Sequence, residues 1–160
     1  MVAALTKLLG LDPGKATGFT YAYYSHTEPL TPIQNGVIPG GVYGFRDFFQ
    51  PQPITIVSEL YVPDGSVRGE DGTHSPRIEG LLIGLHRDTL VFQPRADKAA
   101  LIGTVGDAAA NERARNAWVD ERWPGVFYAQ HDRDAWVHLL VWTKRQKHLP
   151  TLRAYWRQTD

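Results

Sequence analysis

Four positions in this chain of 160 residues carry side chains whose type and setting suit metal-ion chemistry: Asp12, Glu59, His131 and Asp134. Asp12 closes the apolar run Leu8-Leu9-Gly10-Leu11, and Pro13-Gly14 then turns the chain. Glu59 stands inside an apolar, β-branched stretch, where strand alternation puts it on the face of Val57 and Tyr61. His131 and Asp134 lie three apart at the start of another apolar stretch, a spacing that sets both on one face of a helix. Asp132 is one step round that helix and is an alternative to Asp134. A carboxylate in an apolar setting is costly unless it is paired, neutralised or given to a cation. Carboxylate-rich sites suit magnesium or manganese. Two such ions can clamp the attacking water and the leaving oxygen of a phosphodiester.

Each residue also has a plainer reading. Asp12 can cap an Asp-Pro-Gly turn, Glu59 can pair with an arginine, and Asp134 is a favourable first-turn acid. What joins them is their distribution: one acid on each of two strands and one helix. A zinc site of His131, Asp134 and His138 on one helix face is the weaker alternative, because strand carboxylates are present and cysteine is absent. Without a metal, such carboxylates repel one another, so Glu59→Gln is expected to be neutral or stabilising in metal-free buffer.

Those residues need elements to position them. Alternation and turn residues predict strands over 7–12, 18–25 and 33–38, the first two forming a hairpin. A short helix follows over 42–49, then a strand over 54–62 covered on both faces and hence central. Residues 63–76 read as a long loop. A helix over 76–87 carries an Ile78, Leu81, Leu82, Leu85 stripe, with Gly80 and Gly84 open to close packing. A strand over 89–93 precedes a helix over 107–123, N-capped near Asp107, with Ala110, Ala114, Ala117 and Trp118 inward. The last helix, 132–146, is apolar almost all round and should be buried. The class is α/β: an antiparallel meander continued by parallel strands, with helices on both faces.

A hydrophobic share of 42% and a charged share of 21% fit an ordinary globular chain, read as a single domain over 1–160. The lack of cysteine excludes disulfides and thiolate chemistry. No apolar run reaches the length of a membrane span, and the N-terminus is a poor leader, so a cytoplasmic protein is expected. Formal net charge is zero, yet Lys144, Arg145, Lys147, Arg153 and Arg157 form a basic C-terminal stretch with no acid between them. It reads as a phosphate-binding face or as a solvated tail.

Three pieces, taken in order, carry a resemblance: Leu11-Asp-Pro-Gly-Lys-Ala-Thr-Gly-Phe19, Ile56-Val-Ser-Glu-Leu60 and His131-Asp-Arg-Asp-Ala135. With them the chain resembles the RuvC group of Holliday-junction resolvases, within the RNase H-like nucleases, and more a bacteriophage-type member than a cellular one. The resemblance implies an RNase H-like five-stranded mixed sheet flanked by helices. It implies metal positions at Asp12, Glu59, His131 and Asp134 for two Mg2+ or Mn2+ ions, with His131 either ligating a metal or orienting water. It also implies a homodimer that resolves four-way DNA junctions, and acts in DNA recombination and repair, by paired nicking. Lys98 looks like the family's basic residue near the scissile phosphate, and Tyr61 is the nearest aromatic to the one expected to stack at the junction. A second basic position falls at Arg113 or is replaced by Asn111. DNA backbone contacts are expected from Arg68, Arg113, Arg115, Arg122, Lys144, Arg145 and Lys147, and the 76–87 helix is the expected dimer contact. The alternatives on this fold are a catalytically silent nucleic-acid-binding module and an RNA-processing nuclease. An ATPase of the actin and Hsp70 type would need two such domains.

Overall fold

The computed structural model describes residues 4–50, 52–62 and 70–156, with backbone only at 70–71. The strands are β1 (Thr6–Asp12), β2 (Thr17–Tyr24), β3 (Thr31–Ile38), β4 (Thr55–Leu60) and β5 (Leu90–Pro94). The helices are α1 (Gly41–Phe48), α2 (His74–His86), α3 (Ala108–Arg122), α4 (Gln130–Arg145) and α5 (Leu149–Tyr155). The sheet order is β3-β2-β1-β4-β5. β1, β2 and β3 form the antiparallel meander, and β4 and β5 run parallel to β1. This is the five-stranded mixed sheet that the sequence predicts. β4 is interior as expected, but the middle strand is β1.

Alternation along the strands divides the core. Leu8 and Val57 face α4 and pack with Trp123, Trp136, Leu139 and Leu140. Leu9, Leu11 and Ile56 face the other way, against Phe45, Ile78 and Leu82 of α1 and α2. Asp12 and Glu59 continue the α4-facing rows. Parallel pairing of Leu11 with Ser58 sets their strand ends side by side.

Two glycines let α4 lie flush on this surface. A side-chain carbon on Gly10 would collide with the Ala135 carbonyl, and one on Gly18 with the His131 carbonyl. The start of α4 is thereby brought against the end of β1.

Several expectations are corrected. α2 begins inside the segment read as loop, and its buried row is His74, Ile78, Leu82 and His86, an i, i+4 ladder. Leu85 is therefore not core; it is 54% exposed. α3 buries only Val119, and Ala117 faces solvent, because this helix lies at the margin of the core. The basic stretch is no loose tail over its described part: α5 is docked by Thr151 Oγ1, which accepts from Leu30 N at 2.8 Å, and by Tyr155 OH, which donates to Leu30 O at 2.8 Å. A 3-10 turn over Arg95–Ala100, unforeseen, carries Lys98. Arg68 and Arg157 lie outside the described residues. Among the described residues, no helix is long and apolar enough to cross a membrane.

Candidate metal centre and nucleic-acid interface

Asp12 from β1, Glu59 from β4 and Asp134 from α4 converge on one cation, the ammonium of Lys98. Its Nζ lies 2.6 Å from Glu59 Oε2, 2.9 Å from Asp134 Oδ2 and 3.7 Å from Asp12 Oδ1. His131 Nδ1 is 2.7 Å from the other Asp12 oxygen, and its ring is half exposed. Asp134 Oδ1 accepts from Gln130 Nε2 at 3.1 Å, and Gln130 in turn bonds Asn116 of α3. These groups line an open cavity of about 320 Å³ together with Tyr61, Arg95 and Glu112. Its floor is stiff. Thr17 Oγ1 donates to Gly14 O at 3.2 Å, and Ser75 Oγ donates to Pro13 O at 2.8 Å, fastening the Asp12 turn to β2 and α2.

His138 lies one helical turn beyond Asp134 and is fully buried. Its Nε2 is 2.9 Å from Glu59 Oε2, and its Nδ1 faces the Gln93 side-chain amide. Asp12, Glu59 and His138 each offer one ligand atom, all within 4.8 Å of one another. The sequence raises His138 only in the zinc alternative. Nothing in its local pattern marks it otherwise, because an inward residue of a buried helix reads as core.

Burial works to raise the Glu59 pKa. The His138 hydrogen bond and the Lys98 charge outweigh it and hold the carboxyl at about 2. For Lys98, burial works against the ammonium, and Asp12, Asp134 and Glu59 together push its pKa up. The Asp12 hydrogen bond raises the His131 pKa against partial desolvation. The carboxylates are thus not left to repel one another. The Lys98 ammonium is a partner that the expectation for Glu59→Gln left out, and the structure points to a loss of stability in that variant, because the neutral amide would leave Lys98 one partner short in a buried place.

The sequence candidates part company here. Asp12, Glu59, His131, Asp134 and Lys98 share one cavity. Lys98, the basic residue expected near the scissile phosphate, lies at the centre of the carboxylate cluster. Asp132 is turned away from the cluster and caps α4, its oxygens accepting from Tyr128 N (3.2 Å), Ala129 N (3.1 Å) and Asn35 Nδ2 (3.0 Å). Tyr61 lines the cavity just beyond β4, its N–H bound to Glu79. Asn111 is spent on the backbone of Val105 and Gly106.

Arg113 and Arg115 line a groove of about 710 Å³ between α3 and the 3-10 turn. It shares Arg95, Lys98 and Glu112 with the carboxylate cavity. Arg115 Nε is buried there without a hydrogen-bond partner. The C-terminal bases sit elsewhere. Arg145 is about 20 Å along α4 from His131, at 1.5 Å per residue, and bonds Asp97. Lys144 donates to Ala100 O at 2.6 Å and lies over the Trp156 ring. Lys147 is exposed beyond them. Arg122 stacks on Trp118 with its Cζ 4.1 Å from the ring centre.

No family profile and no curated protein matches the sequence. Solved structures do match the fold. RuvC of Thermus thermophilus in complex with a Holliday junction substrate aligns with a TM-score of 0.59 at 12% identity, over 91% of this chain and 97% of that one. A second Thermus thermophilus RuvC structure aligns with a TM-score of 0.58 at 13% identity, over 89% of this chain and 98% of that one. The fold is therefore the RuvC-like, RNase H-like one.

Proposed function

We propose that this chain is a Mg2+- or Mn2+-dependent endodeoxyribonuclease that cuts branched DNA, resolving four-way junctions by paired nicking as a homodimer. The observation that carries the reading is the convergence of Asp12, Glu59 and Asp134, from three elements, on a single cation. The ammonium there stands in for a divalent ion, so the donor set fits one. Three carboxylates with His131 at the rim form an oxygen-rich set, which suits Mg2+ or Mn2+. When bound, such ions supply charge neutralisation at the phosphate and an activated water. The likeness to RuvC with its junction substrate supports DNA as the polymer.

In this reading Asp12, Glu59 and Asp134 hold the ions. His131, held to Asp12 through Nδ1, would orient the water. Lys98, at the centre of the cluster, would neutralise charge developing on the scissile phosphate. Arg95, Arg113 and Arg115 give the strand a cationic path leading away from the cavity, and such contacts position the backbone without reading sequence. The outer face of α2, with Gly80, Ile83 and Gly84 exposed, is the surface for the second subunit.

The decisive assay incubates the protein with end-labelled junctions, flaps, linear duplex and structured RNA, with and without Mg2+ or Mn2+. Asp12→Asn should abolish cleavage and leave junction binding within about tenfold, roughly 1.4 kcal/mol. Full activity in that variant would defeat the assignment. The occupation of the cluster by Lys98 favours one other reading, a silent binding module. In that case no substrate is cut even with manganese.

A further inference from the structure

We propose that His138 is a positioning residue for Glu59, acting through a buried relay that runs Gln93–His138–Glu59. Gln93 stands directly across from Glu59 in the β4–β5 register and is buried under α4. Its amide satisfies every neighbour in one orientation. The nitrogen then donates to His138 Nδ1 and to His138 O, both at 3.2 Å, and the oxygen accepts from Trp142 N at 3.3 Å. That orientation makes Nδ1 an acceptor, so the proton sits on Nε2, which donates to Glu59 Oε2 at 2.9 Å.

Two consequences follow for the cluster. Nε2 has no lone pair to offer, so His138 is not itself a ligand, although it lies within reach of one. Glu59 Oε2 accepts from His138 Nε2 at 2.9 Å and lies 2.6 Å from the Lys98 ammonium, so the relay fixes the same oxygen that meets the cluster's cation. A glutamate side chain has three rotatable bonds, and the relay removes that freedom before an ion arrives. Groups that orient a ligand in this way typically govern metal affinity by about ten- to a hundredfold.

The proposal rests on reading Glu59 as a metal ligand, and the experiment separates the two. Mn2+ binding to the whole protein is measured by the paramagnetic resonance of free Mn2+, for the parent, His138→Leu and His138→Gln. Leucine keeps the volume and loses the donor; glutamine restores an amide N–H near the Nε2 position. The expected result is at least about tenfold weaker binding in His138→Leu and recovery to within about threefold in His138→Gln. In the metal-free parent, imidazole 1H–15N correlation spectra should show His138 protonated at Nε2. Equal affinity in the parent and His138→Leu would overturn the positioning role and leave the metal centre standing. Protonation at Nδ1 would overturn the relay whatever the variants do. A parent that binds no Mn2+ would overturn the metal reading and the proposal with it.

Discussion

At the scale of single residues, Lys98 decides the state of the cluster. Its ammonium is almost wholly buried and answers three carboxylates at once. Removing it leaves those charges in a place water reaches poorly. Metal-free Lys98→Met should therefore lose about 3 kcal/mol of stability, as broken buried pairs do. Millimolar Mn2+ should restore it, and the variant should bind Mn2+ more tightly than the parent, because the internal competitor is gone. Urea unfolding with and without the ion checks both; unchanged stability in metal-free buffer would show that the ammonium is dispensable. Glu59 supplies the pH signature. Its pKa is held at about 2 in the folded protein, against an ordinary value near 4.3 when unfolded. The unfolded state therefore binds the proton first. The stabilisation is full above the unfolded pKa and fades as pH falls toward the folded one. Urea titrations between pH 5 and pH 2 should show a decline that is shallower in Glu59→Gln.

At the scale of elements, the site exists because α4 can approach the β1–β2 hairpin without side chains in the way. Gly18 faces the His131 carbonyl so closely that even a methyl group must push α4 outward. Gly18→Ala should cost about 2 kcal/mol or more, as overpacking does. It should also slow cleavage more than that loss of stability explains, since His131 and Asp134 move with the helix. Gly80→Ala is the control: a methyl there meets nothing within 4 Å. In a helix interior it should be neutral or stabilising by about 0.5–1 kcal/mol. Melting curves and single-turnover rates on the same preparations separate the two effects. A Gly18→Ala protein with the rate and stability of the parent would mean that α4 has slack.

At the scale of the whole molecule, the proposed paired nicking needs two cavities, and α2 offers a face on which two chains could pair. The row His74, Ile78, Leu82 and His86 turns one side of α2 into the core and leaves Gly80, Ile83 and Gly84 outward. A protruding arginine on that face would block another helix from approaching without entering the core. Gly84→Arg should give a folded monomer by sedimentation and circular dichroism, one that nicks junctions but does not cut both strands together. Paired cutting by a proven monomer would count against the dimer and leave the nuclease chemistry intact. The groove of Arg95, Arg113 and Arg115 runs out of the same cavity. The bases at Lys144 and Arg145, by contrast, are tied to the far end of α4.

Much of this was legible in the order of residues. Asp12 ending an apolar run, Glu59 inside a β-branched one and Asp134 opening an apolar helix are local patterns, and local patterns survive in a string. So does the meander, because a short turn forces strands 1 and 2 together. What the string could not settle depends on distance in space. Asp132 and Asp134 differ by half a helical turn, and only the packing of α4 on Gly10 and Gly18 directs one to a helix cap and the other to the cavity. Lys98 sits on a 3-10 turn after β5, and it meets the carboxylates because parallel pairing brings β4 and β5 to the same end of the sheet. The row of α2 that faces inward, the docking of α5 and the burial of His138 against Glu59 are likewise tertiary outcomes. Each turns on which neighbour a face meets, and periodicity fixes only that a face exists.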